Sequence, residues 1–134
     1  MNSTKQDCYR LIQQITLLRD PICVVPGCAF LSSAGHHLFP RARLSTAFDP
    51  QAVRGLCHQH HQWVHANPKQ ATLMFIKLIG VLKYGELERK SRTIMPNFDF
   101  EETRRVLKSI LTELRNRRQT HALPPTMDFI EYRR

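Results

Sequence analysis

Residues 34–40 read AGHHLFP, and residues 56–65 read LCHQHHQWVH. Together they hold six of the chain's seven histidines. Histidine is a costly choice for plain packing, because both ring nitrogens need partners once water is excluded. It is the usual choice for metal ligation and for proton transfer near neutral pH. The two stretches therefore decide the reading: their histidines divide between a structural metal site and a catalytic one.

The cysteines make the first division. Cys23-x4-Cys28 is one knuckle and Cys57-x2-His60 is a second. Two pairs of soft ligands, each pair a few residues apart, can meet at the tetrahedral angles that zinc prefers. The ion would close the intervening loop of 28 residues. In zinc-finger peptides such closure supplies on the order of 10 kcal/mol of folding free energy. His58 is the alternative fourth ligand. Four cysteines also allow two disulfides, but MNSTKQDCYRLIQQ lacks the basic-then-apolar layout of a secretion signal. Metal ligation is the expectation, with Cys8 set apart as a core thiol.

With His60 spent on zinc, His36, His37, His61 and His65 remain. His61 and His65 are four residues apart, so on a helix both rings leave one face and can grip one ion. His36 and His37 are adjacent, and in a strand they point to opposite sides. One can supply a third ligand while the other faces a water. Three protein ligands with open positions describe a catalytic site.

Around these stretches the periodicity is helical. Leu11, Ile12, Ile15 and Leu18 mark a helix over 4–19, ended by Pro21. Residues 22–65 are turn-rich, with a helix expected near 58–66. Helical spacing returns over 68–90. A turn comes next, and then a helix over about 100–118 with Val106, Leu107, Ile110, Leu111 and Leu114 on its buried side. Asp99 and Glu102 have the spacing of a capping box, and RNRR at 115–118 closes the helix with cations. Pro124 and Pro125 lie in a tail expected to dock loosely. Trp63 is expected as a core anchor.

Twenty Lys and Arg against eleven Asp and Glu give a net charge of +9. A small domain with that excess meets a polyanion; a metal-storage or redox protein has no use for it. Arg41, Arg43 and Arg54 lie beside the proposed site in sequence. Arg104, Arg105, Lys108, Arg115, Arg117 and Arg118 are candidates for a phosphate-binding face on the last helix. No apolar run is long enough to span a membrane, so no membrane partner and a cytoplasmic location, in a bacterial or phage-infected cell, are expected.

HHLFPRA followed by LCHQHHQWVH resembles the HNH family of ββα-metal nucleases. AGHHLFPRARLSTAFDPQ, leading to a Cys-x2-ligand knuckle, is most similar to the phage recombination nucleases of the NinG/Rap type, with their AGH…R…DPxN…C-x2-C layout. Residues 75–114 are similar to the segment C-terminal to the nuclease core in that group, and the resemblance covers about residues 20–115. It implies an α+β fold: a zinc-stabilised ββα-metal core at 21–67, an N-terminal helix at 1–20, a helical extension at 68–118 and a tail at 119–134. It places His36, His61 and His65 on the catalytic ion, His37 as general base and Arg41 against phosphate. The family's middle Asn, which braces the loop carrying the base, falls at Ala52, with Gln51 as the nearest substitute. The second knuckle ends in His60 where the family has Cys, and zinc accepts either.

The implied activity is hydrolysis of DNA phosphodiester bonds, in duplex or branched DNA, in recombination or DNA processing. The catalytic ion is divalent: Mn²⁺, Mg²⁺, Ni²⁺ or Zn²⁺, with three imidazoles favouring the softer ions over Mg²⁺. The rival reading is a zinc-folded DNA-binding module without catalysis.

Overall fold

The computed structural model describes the backbone of residues 3–121 and the side chains of residues 3–118. The expected tail, with Pro124 and Pro125, lies outside the described residues. The chain forms α1 (Ser3–Arg19), β1 (Ala34–His37), α2 (Leu44–Ala47), a 3₁₀ turn (Pro50–Ala52), β2 (Val53–Leu56), α3 (His58–Ala66), α4 (Pro68–Ile79), α5 (Val81–Ser91) and α6 (Phe100–His121). The described residues form a helix-rich α+β fold around one antiparallel strand pair.

Two apolar clusters flank the strands. Cys8, Leu11, Ile12 and Ile15 of α1 pack with Leu107, Leu111 and Leu114 of α6, closed by Phe48 and Val53. Cys8 is fully buried there, a core thiol as its isolation implied. Val106, expected inside, is 41% exposed: the buried stripe runs through Leu107, Leu111 and Leu114, and Val106 lies about 100° to its side. The second cluster joins Cys23, Leu56 and Cys57 to Val64, Ala71 and Phe75, with Trp63 packed against it as an anchor.

The helical stretch 68–90 is two helices. Gly80 has φ +102° and ψ 144°, a conformation open to glycine and strained for other residues. The chain turns there, and α5 packs back towards α2 and α4. Asp99 starts α6 by accepting the Glu102 N–H at 2.9 Å. The other half of the capping box is absent, because the Glu102 carboxylate is taken by Arg105. The helix continues past RNRR to His121, so those cations lie within it.

The strand pair is short, with Gly35 opposite Gly55 and His36 opposite Arg54. In an antiparallel ladder alternate residues turn their N–H and C=O away from the partner strand. Gly55 is such a residue: its N–H donates to Asp20 Oδ2 at 2.9 Å and its carbonyl accepts from Val24 N–H at 3.1 Å. A Cβ at Gly55 would come within 2.7 Å of Asp20 Cβ and Ser32 Oγ, so only glycine lets Asp20 approach. Buried Arg19 grips the same segment, donating to the carbonyls of Pro50 at 2.5 Å and of Val53. The Arg19 guanidinium is neutralised by Asp20 through bonds of 3.0 and 2.7 Å.

Candidate metal centres

Cys23 and Cys28 sit on a hairpin held by the Ile22–Leu31 bridge and turned at Gly27, whose φ is +83°. Cys57 is the N-cap of α3, and its sulfur accepts the His60 N–H at 3.4 Å. These elements gather Cys23, Cys28, Cys57 and His60 into one set of donors within 4.8 Å of one another. Cys28 Sγ lies 3.9 Å from Cys57 Sγ, and His60 Nδ1 lies 3.3 Å from Cys57 Sγ and 3.5 Å from Cys23 Sγ. A zinc tetrahedron has S–S edges of about 3.8 Å and S–N edges of about 3.5 Å, from its bond lengths of about 2.3 and 2.05 Å. The donor set and its spacing fit structural zinc. His58, the alternative ligand, is exposed and outside the set.

Burial pushes the Cys23 thiol up to about 11. Burial acts on Cys57 in the same direction, but N–H groups of His60 and Gln59 and the neighbouring thiols outweigh it and bring that thiol below its ordinary value. The thiolate form is thus more favoured at Cys57 than at Cys23, and an arriving cation would displace the proton that burial holds on Cys23.

A second set forms where β1 faces α3. The ligand nitrogens of His36, His61 and His65 lie within 4.8 Å of one another. The His36 ring centroid is 5.5 Å from His61 and 5.4 Å from His65, both at steep angles, and the ring stacks on Phe75 at 5.8 Å. The helical pair meets one of the two strand histidines. Burial, then the neighbouring His61, His65 and His37, bring His36 down to about 4. His61 is lowered as well, by burial and then by His65 and His58. His36 is therefore neutral at pH 7, with a lone pair to offer a cation. Three imidazole nitrogen donors suit a transition metal better than Mg²⁺.

His37 leaves the opposite side of β1. Its Nε2 lies 2.9 Å from the Ala47 carbonyl oxygen, and its ring meets Tyr9 edge-on at 6.3 Å. Burial brings its pKa below the ordinary value, against the raising effect of the Ala47 bond. The Arg41 guanidinium lies 4.1 Å above the Tyr9 ring, and the Tyr9 hydroxyl donates to the Arg41 carbonyl at 3.1 Å. His36, His37, Arg41, His61 and His65 all line one cleft of about 750 Å³.

Other expected residues fall elsewhere. Arg54 is buried, 5% exposed, and donates to the Gln51 carbonyl at 3.2 Å. It supports the turn before β2 and is no surface contact. Arg43 reaches Ser91 at 3.3 Å, away from the cleft. Ala52, where the resemblance would put an Asn, is buried beside Phe39 and Leu87; its backbone alone holds the loop, the carbonyl accepting from Leu38 N–H at 2.9 Å and the N–H donating to the Asp49 carbonyl at 2.9 Å. On α6, Arg104 is paired with Asp7 and Glu101, Arg105 with Glu102, and Arg117 with Glu113.

Tyr9 and Gln13 were not anticipated. Both come from α1, one turn apart, and both reach the cleft-forming segment. Nothing local distinguishes them from solvent-facing residues of an amphipathic helix; their role arises when α1 packs against β1. Among the described residues no helix is long and apolar enough to cross a membrane. The chain matches no protein-family model, no curated protein and no solved structure.

Proposed function

We propose that this protein is a metal-dependent DNA endonuclease of the HNH type, in which a structural zinc folds the core and a second divalent ion serves catalysis. The observation that carries the reading is the division of labour across β1. His36 joins His61 and His65 on one side, while His37 is held by a backbone carbonyl on the other, and all four line one cleft. The order β1–β2–α3, with candidate ligands on the first strand and the helix, supports a ββα-metal core.

A divalent ion held by the three imidazoles supplies Lewis-acid stabilisation of negative charge developing on the phosphate. The protein's own residues do the rest. The Ala47 carbonyl can only accept, so it holds the His37 proton on Nε2 and leaves Nδ1 with its lone pair. Nδ1 of His37 takes a proton from the attacking water. Arg41, held over Tyr9, meets a phosphate oxygen at the mouth of the cleft and orients the scissile group. The net charge of +9 supplies the attraction that brings DNA to the surface.

The test is a cleavage assay on supercoiled plasmid and a labelled four-way junction, with Mg²⁺, Mn²⁺, Ni²⁺ or EDTA. Cutting that requires added metal and disappears in His37→Ala is the expected result. A folded, zinc-loaded chain that shifts DNA in a gel and never cuts it would make the zinc-folded binding module the correct reading.

A further inference from the structure

We infer that α1 is part of the second metal centre, with Gln13 as the residue that positions His36; this rests on the reading of His36, His61 and His65 as an ion site. Among the described residues β1 has a partner strand on one edge only. On its other edge Gly35 turns its N–H and carbonyl outward, as Gly55 does on the far edge of β2. The Gln13 side-chain amide satisfies both: its Oε1 accepts the Gly35 N–H at 2.7 Å, and its Nε2 donates to the Gly35 carbonyl at 3.0 Å. One carboxamide thus stands where the backbone of a third strand would be.

The position of these bonds gives them their consequence. The Gly35 carbonyl belongs to the peptide that enters His36, and the Gly35 N–H to the peptide before it. Gln13 pins two successive peptide planes directly ahead of the ligand. A functional group has to be held within roughly 0.5 Å and 10–20° of its working geometry, and a strand of four residues paired on one edge is poorly braced for that. The opposite edge is held by Asp20 at the end of the same helix. Seven residues of helix rise about 10 Å. That matches two strands about 4.8 Å apart with a hydrogen bond of about 3 Å beyond each edge. The helix grips the strand pair from both edges, and Gln13 is the grip on the histidine side.

Glycine at 35 belongs to the device. A Cβ there would sit 3.2 Å from Gln13 Nε2, 3.0 Å from Val53 Cγ1 and 3.1 Å from Thr16 Cγ2, closer than ordinary contact, so these side chains would have to shift by a few tenths of an ångström. Only an amide offers a donor and an acceptor together in one plane. Glu at 13 accepts from the Gly35 N–H and repels the Gly35 carbonyl; Met at 13 fills the space and makes neither bond.

The experiment is a Co²⁺ titration of the full, zinc-loaded chain, read by visible absorption. Binding to histidines alone lacks the thiolate charge-transfer bands that would reveal exchange at the cysteine site. Wild type, Gln13→Met, Gln13→Glu and the exposed neighbour Gln14→Met are compared, with zinc content and thermal melting recorded for each. The expected result is one Co²⁺ per chain with equal affinity in wild type and Gln14→Met, and affinity lower by roughly 10-fold or more in both Gln13 variants. Zinc content and a cooperative melt are retained throughout. Wild-type Co²⁺ affinity in the Gln13 variants would overturn this inference alone. Absence of a second bound ion in wild type would overturn it together with the ion-site reading. Loss of zinc or of the melt in both Gln13 variants would make Gln13 a strut of the whole fold and overturn the specific role.

Discussion

The Nε2 of His37 lies 2.9 Å from the carbonyl oxygen of Ala47, so the neutral ring keeps its proton on Nε2 and its lone pair on Nδ1. His37 accepts a proton only in that neutral form, and burial keeps it neutral below the ordinary histidine range. The neutral fraction rises with pH, so kcat/KM, measured at saturating metal, should rise with pH through a midpoint below 6.5. His37→Ala should cost about 10²–10⁴-fold in rate and leave Co²⁺ affinity at the three histidines unchanged. A limb with its midpoint above the ordinary histidine value, surviving in the variant, would assign the base elsewhere.

The zinc site should govern the second site without the reverse being true. Cys57 both belongs to the sulfur set and caps α3, and α3 carries His61 and His65. Structural zinc is worth on the order of 10 kcal/mol in small domains, comparable to a whole domain's stability of about 5–15 kcal/mol. Cys57→Ser should lose zinc, helical circular dichroism and the second ion together. His61→Ala should lose only the second ion and keep one zinc per chain by elemental analysis. Zinc affinity should also rise with pH, because Cys23 is held protonated by burial until the ion arrives. Zinc retained by Cys57→Ser would remove Cys57 from the ligand set.

Local spacing carried most of this site. The i, i+4 pair at 61 and 65, the alternation at 36 and 37 and the two knuckles each depend on a few bonds of chain geometry, and the structure gathers the knuckles into one donor set and His36 with His61 and His65 into another. Non-local relations were not legible. Arg54 reads as surface charge until β2 is known to be covered on both sides, and its burial then turns it inward. Tyr9 and Gln13 read as ordinary helix residues until α1 is placed against β1. Gly80 lies inside a helical apolar pattern, and only its positive φ shows that the pattern belongs to two helices.

The basic residues of α6 should matter less for DNA than their number suggests. Arg104 is bound to Asp7 at 3.0 Å and to Glu101 at 2.7 Å, so its charge is offset before any phosphate arrives. Arg104→Ala should leave DNA affinity nearly unchanged. Arg41→Ala should weaken binding across all sequences and lower the slope of log K against log salt by about 1. Arg41→Lys should not restore it, because a lysine cannot keep both the planar stack on Tyr9 and a forked phosphate contact. Equal salt slopes for Arg41→Ala and wild type would take Arg41 out of the phosphate contacts.

The buried pair at the end of α1 should be the most sensitive point of the fold. Arg19 is 2% and Asp20 4% exposed. Arg19 bonds both carboxylate oxygens of Asp20 and two carbonyls of the segment leading into β2. Asp20→Ala leaves a buried guanidinium uncompensated and the Gly55 N–H without its acceptor. Breaking one side of such a pair costs about 3–5 kcal/mol, a large part of what a small domain has. Gly55→Ala acts on the same contact by crowding: its Cβ would fall 2.7 Å from Asp20 Cβ, and overpacking costs about 1–3 kcal/mol. Both variants displace the same carboxylate, so their double variant should be destabilised by less than the sum. Urea denaturation of the zinc-loaded proteins reads all three. A loss below about 1 kcal/mol for Asp20→Ala, the range of exposed pairs, would show that water reaches Arg19. The strand pair would then be held chiefly by Gln13 and the zinc.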